Sequence, residues 1–130
     1  MVDQLSNHPI HLGLGATAEP QPLFTGEMDW YQSYGERHGI DGVEGRLVSM
    51  HSFHNSWDVW EMHPKGSEVV LCVVGTIDLV QEIDGSHTVT TLGVGEYTVN
   101  APGVWHTADV ETEATCVFIT AGLGTEHRPR

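Results

Sequence analysis

The stretch WEMHPKGSEVV, residues 60–70, places two carboxylates and an imidazole in an otherwise apolar run. Alternate side chains of a strand point to the same face, so Glu61 and His63 share one. PKGS predicts a turn, after which Glu68 begins a second apolar strand. Buried carboxylates are costly unless a cation neutralises them. A divalent metal ion would neutralise both and would accept the imidazole nitrogen.

A fourth ligand is predicted from GEYTVNAPGVWH, residues 95–106, where Ala-Pro-Gly makes a turn and His106 begins the next strand. A single strand histidine is more often a core or rim residue, and a single glutamate is more often a solvated charge. It is the combination of Glu61, His63, Glu68 and His106 that favours a metal site.

Further from this stretch, the hydrophobic pattern has a period of two. Short segments rich in Val, Ile, Thr and aromatic residues alternate with turns, which predicts an all-β sandwich or barrel. The predicted strands are residues 46–53, 57–63, 68–74, 76–83, 87–92, 96–101, 105–110 and 115–121.

We expect one domain of residues 1–130. An N-terminal arm with one short helix occupies residues 1–45, a barrel occupies residues 46–121, and a tail occupies residues 122–130. The helix is predicted from FTGEMDWYQSYGERHGIDG, residues 24–42, which has acids near its start and a base near its end.

The composition excludes several classes of function. Eighteen Asp and Glu oppose five Lys and Arg, which leaves few cations to bind nucleic acid or an anionic membrane. A basic leader with an apolar core is not evident, and no apolar run has the length of a spanning helix. We therefore expect a soluble cytoplasmic protein whose two cysteines, Cys72 and Cys116, are buried and reduced.

These residues resemble the two sequence motifs of the cupin superfamily. In the first, Glu61-x-His63 is followed by four residues, Glu68, six residues and Gly75. In the second, Gly95 is followed by five residues, Ala101-Pro102-Gly103, two residues and His106. Positions that depart from the motifs are Asn55 for a glycine, Glu61 for the first histidine, Ala101 for a proline and Val110 for an asparagine.

The resemblance implies a cupin jelly-roll β-barrel, or double-stranded β-helix, with one divalent metal ion at its mouth. Glu61, His63, Glu68 and His106 would hold the ion, which could be Fe, Mn, Ni, Cu, Co or Zn. Glu61 has three possible roles: a ligand, a general base that leaves the metal, or neither. In the last case the site has three ligands or no metal.

The resemblance also implies a binding pocket for a small molecule. His51, Trp57, Tyr97 and Trp105 are predicted to bind substrate, with packing in the core or rim as the alternative. His8, His11, His87 and His127 are predicted to lie on the surface.

The motif strand is apolar on both faces, so its outward residues Val69, Leu71 and Val73 need a cover. The N-terminal arm and helix would provide one, and a second subunit would provide another. Since cupins are commonly dimers, the resemblance implies a homodimer.

Three functions remain open from the sequence. The first is a metal-dependent enzyme of dioxygenase, isomerase or lyase type that acts on a small oxygenated organic molecule. The second is a non-catalytic module that binds a small molecule or a metal. The third is a metal-free barrel. The sequence favours the enzyme.

Overall fold

The computed structural model describes residues 2–130, and most of them lie in β-strands. The first part of the chain contains β1 (Ile10–Gly13), β2 (Thr17–Pro20) and α1 (Met28–His38), with 3-10 turns at Leu14–Ala16 and Gly39–Glu44. The barrel strands follow as β3 (Arg46–Phe53), β4 (Val59–Met62), β5 (Glu68–Gly75), β6 (Ile77–Ile83), β7 (Ser86–Leu92), β8 (Tyr97–Asn100), β9 (His106–Asp109), β10 (Ala114–Thr120) and β11 (Glu126–Pro129).

These strands form two antiparallel sheets within residues 2–130. The six-stranded sheet has the order β2-β1-β3-β10-β5-β8, and the five-stranded sheet has the order β11-β4-β9-β6-β7. Neighbours in the sheets are mostly distant in sequence, as in a jelly roll, where the chain passes back and forth between sheets. The predicted all-β jelly-roll fold with one short N-terminal helix is confirmed.

The core lies between the two sheets and consists of the inward residues of both. Val70, Cys72, Cys116 and Phe118 come from the six-stranded sheet, and Leu79 comes from the other. Both cysteines are free and buried, and burial, followed by the neighbouring Cys72, raises the pKa of the Cys116 thiol to about 12.

A β-bulge interrupts the alternation of inward and outward side chains near the end of β5. Cys72 pairs with Cys116, but the next register places Val74 opposite Thr115. Gly75 follows with a φ of +72°, where a Cβ would overlap the carbonyl oxygen of Glu113. Glycine is therefore required here, at the closing glycine of the first motif.

The arm and the helix cover the inward side of β1 and β3. Trp30 is buried on α1, where its Nε1 donates to the carbonyl of Pro22 at 3.2 Å and its ring contacts Phe24. Phe24 in turn lies 5.0 Å from the ring of His51 on β3. Between residues 2 and 130, no helix has the length and apolar character of a membrane span.

The last strand, β11, pairs with β4 and extends the five-stranded sheet beyond residue 121. Arg128 fixes it there: the guanidinium lies 4.5 Å from the ring of Trp105 and 5.2 Å from that of Trp60, and it pairs with Glu82. Such a sandwiched arginine combines cation–π attraction with an ion pair. The C-terminal segment is therefore held against β4, the strand that carries Glu61.

Candidate metal centre

The site lies between two rows of cross-strand neighbours, one in each sheet. In the five-stranded sheet, Glu61 on β4 pairs with His106 on β9, which pairs with Gln81 on β6. In the six-stranded sheet, Thr120 on β10 pairs with Glu68 on β5, which pairs with Asn100 on β8. Residues directly opposite in a sheet share a face, so the two rows bring their polar side chains together.

His63 closes this arrangement just beyond the end of β4. Its Nε2 lies 3.1 Å from Glu61 Oε1 and 3.1 Å from Glu68 Oε2, and His106 Nε2 lies 3.1 Å from Glu68 Oε1. Ligand atoms of all four residues lie within 4.8 Å of one another. The structure thus brings together the four residues that the sequence selected.

Both histidines are held in one tautomer by contacts on the far side of the ring. The Thr125 hydroxyl donates to the carbonyl of Gly122, so at 2.8 Å it accepts from His63 Nδ1. His106 Nδ1 donates to the carbonyl of Val104 at 3.2 Å. Each neutral ring therefore presents the lone pair of Nε2 to the carboxylates.

With both rings neutral, this arrangement lacks positive charge at its centre. Within residues 2–130, neither His63 Nε2 nor His106 Nε2 has a hydrogen-bond partner, although both are buried and close to carboxylate oxygens. Lone pairs that face carboxylates repel them unless a cation lies between. Two carboxylates also match the charge of one divalent ion, so the residues present fit a metal.

The spacing of the donors also fits. Donors that lie about 2.1 Å from a metal at right angles to each other are about 3.0 Å apart, and the observed separations are 3.1 Å. The set has two nitrogen and two oxygen donors and no thiolate, which suits Fe, Mn, Co, Ni, Cu or Zn.

Polar neighbours orient Glu68. Asn100 Nδ2 donates to Oε1 at 3.1 Å and the Thr120 hydroxyl donates to Oε2 at 2.6 Å. Gln81 Nε2 donates to Asn100 Oδ1 at 2.7 Å, which fixes the orientation of the amide. Such contacts to a ligand tune its geometry and affinity for metal.

The pKa values of Glu68 and His63 reflect the charges within the cluster. Burial alone would raise the pKa of Glu68, but His106 and His63 outweigh burial and lower it well below its usual range. Burial would lower the pKa of His63, but Glu61 and Glu68 outweigh burial and raise it to about 9. Without metal, His63 therefore holds a proton near neutral pH.

Glu61 is the member of the cluster that solvent can reach. Its side chain is 25% exposed, whereas those of His63 and Glu68 are 5% and 3% exposed and that of His106 is fully buried. Its second oxygen, Oε2, lies 3.2 Å from Nε2 of His127 on β11. Access to the site therefore passes Glu61.

Two of the four predicted substrate residues face the interior. His51 pairs with the buried Cys116 and points inward beside Phe118. Burial lowers the pKa of His51. The carboxylates of Glu61 and Glu68 raise it by a smaller amount, so the pKa stays below its usual value and the ring is neutral. Trp57 lies 6.2 Å from the His106 ring, and its buried Nε1 has no partner in the described residues.

Tyr97 and Trp105, which were also predicted to bind substrate, do not face the barrel interior. Tyr97 is 65% exposed and pairs with Leu71 on the outer side of the six-stranded sheet. Trp105 precedes the inward His106, so it faces outward and stacks on Arg128. Alternation along the strand decides the face on which each of these side chains lies.

Several functional neighbours were missed by the sequence reasoning. Asn100 and Thr120 lie next to Glu68 because they are its cross-strand partners. These pairings can be predicted only when the order of strands in the sheet is known. His127 was predicted to be a surface residue; it is 55% exposed, yet it contacts Glu61 because β11 pairs with β4. Tyr31 on α1 lies close enough to Glu61 that burial, and then that carboxylate, raise its pKa.

A second cluster, formed by His11, His38 and Asp41, has its polar atoms already paired. His11 was predicted at the surface, but it is buried between the Tyr34 hydroxyl and Asp41, each at 2.6 Å. His38 Nε2 accepts from Gln21 at 3.0 Å. Burial, and then Asp41, raise the pKa of Tyr34 to about 12, so its hydroxyl keeps its proton and donates to His11. This cluster fastens the helix to β1.

The fold was compared with known proteins. No protein-family model matches the chain, and no curated protein is significantly similar to it. Among solved structures, a cupin-2 domain protein from Shewanella frigidimarina has 24% identity and a TM-score of 0.50, covering 65% of this chain and 71% of that one. A Klebsiella pneumoniae protein with a double-stranded β-helix domain has 20% identity and a TM-score of 0.52, covering 65% and 73%.

An oxalate oxidase has 17% identity and a TM-score of 0.53; the match covers 62% of this chain and 44% of that longer chain. At these identities the likeness concerns the fold. The chain has the cupin fold, a jelly-roll β-barrel, and its barrel interior contains a His and Glu cluster that could hold a metal ion.

Proposed function

We propose that this protein is a metal-dependent enzyme that acts on a small oxygenated organic molecule, with chemistry of dioxygenase, isomerase or lyase type. The observation that carries the proposal is the pair of buried Nε2 atoms, on His63 and His106, that face carboxylates without hydrogen bonds in the described part of the chain. One divalent ion would be held by these histidines with Glu61 and Glu68. Bound there, it would supply Lewis-acid chemistry toward a substrate oxygen.

The residues around the cluster would transfer protons and contact the substrate. Glu61 is the partly exposed carboxylate, so it is placed to take a proton from a substrate and pass it outward. Trp57 Nε1 is a buried donor that needs an acceptor, and a substrate oxygen supplies one. His51 is a neutral ring on the opposite sheet that can contact the same molecule.

The charges in the interior favour an uncharged substrate. All five basic residues are engaged or exposed elsewhere in residues 2–130: Arg37 bonds Gln21, Arg128 pairs with Glu82, Arg130 pairs with Asp109, and Arg46 and Lys65 are exposed. With the charge of the divalent ion balanced by Glu61 and Glu68, an anionic group would add negative charge that no side-chain cation offsets. Neutral phenols, ketones and diketones fit this interior better than dicarboxylates.

The proposal is tested by turnover. The protein is loaded with each candidate metal in turn and incubated with phenols, diketones and hydroxy acids, in air and under nitrogen. Products are followed by mass spectrometry and dissolved oxygen by an electrode. A dioxygenase consumes oxygen with substrate, whereas an isomerase or lyase forms product under nitrogen as well.

A pair of matched variants assigns the activity to the site. Glu61→Gln keeps the size of the side chain and removes its charge, and it should abolish turnover. Glu126→Gln makes the same change at an exposed position of the neighbouring strand β11 and should leave turnover intact. Ligand binding without turnover under every metal would instead support a non-catalytic module, and turnover that survives both chelation and Glu61→Gln would contradict the proposal.

A further inference from the structure

Two free cysteines lie directly opposite each other on neighbouring interior strands of the six-stranded sheet. Cys72 on β5 pairs with Cys116 on β10, and both side chains are fully buried in the core. After burial itself, Cys72 is the group that raises the pKa of the Cys116 thiol, so the two side chains interact. A single buried cysteine packs as a small apolar residue, whereas two facing thiols can also react with each other.

The hydrogen bonds of Cys72 show that the two cysteines form the closer of the two kinds of cross-strand pair. Its backbone N–H donates to the carbonyl of Glu96 at 3.0 Å, and its carbonyl accepts from the N–H of Gly95 at 2.8 Å. Both groups point away from β10, so Cys72 and Cys116 are a non-hydrogen-bonded pair. The Cα atoms of such a pair are about 4.5 Å apart, within the range of about 4.4 to 6.8 Å that a disulfide spans.

The Cys72 thiol points toward the end of the barrel that is farther from the metal centre. It donates to the carbonyls of Val74 and Gly75 at 3.4 and 3.5 Å. Gly75 in turn lines a surface cavity of about 480 Å³. The thiol therefore lies beside the backbone that separates the core from this cavity, where a local opening admits a molecule as small as hydrogen peroxide.

We propose that Cys72 and Cys116 are a site of reversible oxidation, at which hydrogen peroxide converts the two thiols to a disulfide. The thiolate of Cys72 attacks one peroxide oxygen; the O–O bond breaks, and a sulfenic acid and hydroxide form. The sulfur of Cys116 then attacks the sulfenic sulfur; the S–S bond forms, and water leaves. The two thiol protons end in two water molecules, and two electrons pass from the sulfurs to the peroxide oxygens.

The disulfide would fasten the barrel at a weak point. The register shift between Thr115 and Cys116 interrupts the pairing of β5 with β10 beside the two cysteines. Residues 73–115, which contain β6 to β9, would become a closed loop, and this lowers the entropy of the unfolded chain. Cys72 follows Glu68 by four positions on β5, about 13 Å along the strand. The inference therefore does not depend on metal binding.

The test treats the full-length protein, as purified and after chelation, with millimolar hydrogen peroxide and then unfolds it with N-ethylmaleimide present. Reduced chains take up two maleimides, and oxidised chains should take up none. Cleavage after glutamate leaves Cys72 in residues 69–82 and Cys116 in residues 114–126, so a disulfide within one chain joins these fragments until dithiothreitol is added. The oxidised protein should melt roughly 5 to 10 °C above the reduced protein.

The control is Cys116→Ala, which keeps Cys72 and removes its partner. Peroxide should give it no linked fragments and no rise in melting temperature. Circular dichroism checks that the variant is folded, and if it is not, the fragments of the wild type decide alone. The treatment is repeated in sub-denaturing urea, where local opening is more frequent. Two alkylated cysteines under every condition would overturn the proposal, as would sulfinic or sulfonic acid at either cysteine without linked fragments.

Discussion

At the scale of single residues, what the site can bind depends on contacts made behind each histidine ring. Thr125 and the carbonyl of Val104 accept from the Nδ1 atoms of His63 and His106, so both Nε2 atoms face the carboxylates. Had either ring been reversed, it would have donated to a carboxylate and the cluster would be a closed hydrogen-bond network. The groups behind these rings therefore leave both Nε2 atoms available to a metal once His63 has lost its proton.

Removal of the Thr125 hydroxyl should weaken metal binding without unfolding the protein. In Thr125→Val, His63 loses the contact that fixes its tautomer, and such losses lower metal affinity by about 10- to 100-fold. Thr125→Ser keeps the hydroxyl and should bind metal as the wild type does. Competition with a chromophoric chelator measures both affinities, and equal affinity in Val and Ser variants would contradict the role given to Thr125.

Metal binding should release a proton, and its affinity should rise with pH. The pKa of His63 in the metal-free protein is raised to about 9, so the ring must lose a proton before it binds metal near neutral pH. Affinity should therefore rise about tenfold per pH unit up to pH 9 and level off above it. Calorimetry in buffers of different ionisation enthalpy counts the released protons. Release of none at pH 7 would contradict this account.

At the scale of elements, the strands were predictable and their faces only partly so. All eight predicted strand segments correspond to strands β3 to β10, because alternation and turn residues are local signals. The four residues of the cluster were also predictable, since they lie close together along two strand–turn–strand segments, β4 to β5 and β8 to β9. Asn100 and His127 were not, because their approach to Glu68 and Glu61 depends on sheet order.

The way in which the N-terminal helix is attached also could not be predicted from the sequence. Its position was predicted, but its attachment through His11 was not, since a histidine in a Pro- and Gly-rich arm resembles a surface residue. Only the fold brings His11 between Tyr34 and Asp41, residues that follow it by 23 and 30 positions. Long-range pairing of this kind leaves no local pattern in the sequence.

Loss of the His11 ring should loosen the helix but not the metal site. His11→Ala leaves Tyr34 and Asp41 without their partner, which should lower the free energy of unfolding by about 2–4 kcal/mol. Tyr34→Phe removes one of the two contacts and should cost about 1 kcal/mol. Urea unfolding measures both. Metal content should be unchanged in each variant, and its loss in folded Tyr34→Phe would contradict the structural role.

At the scale of the whole molecule, the cluster places one buried and one partly exposed carboxylate in the barrel of a chain that is already strongly acidic. A divalent ion would remove that interior charge in the folded state alone, so metal should stabilise the fold. At a free metal concentration about 100 times the dissociation constant, the gain is about 2.7 kcal/mol. For a domain of this length we expect the melting temperature to rise by about 10 °C.

Calorimetric or fluorescence melting with metal and with chelator tests this expectation. His106→Ala supplies the control, since its melting temperature should be the same under both conditions. A wild-type protein that melts identically with metal and with chelator would show that the ion contributes nothing to the fold.

The most direct test of the central claim is the metal content of the purified protein. Wild type and His106→Ala are prepared without chelator or histidine tag and analysed by inductively coupled plasma mass spectrometry. We predict close to one divalent ion per chain in the wild type and a small fraction of that in His106→Ala. The absence of metal from both, with none taken up by the wild type on incubation with Fe, Mn, Co, Ni, Cu or Zn, would contradict the metal site.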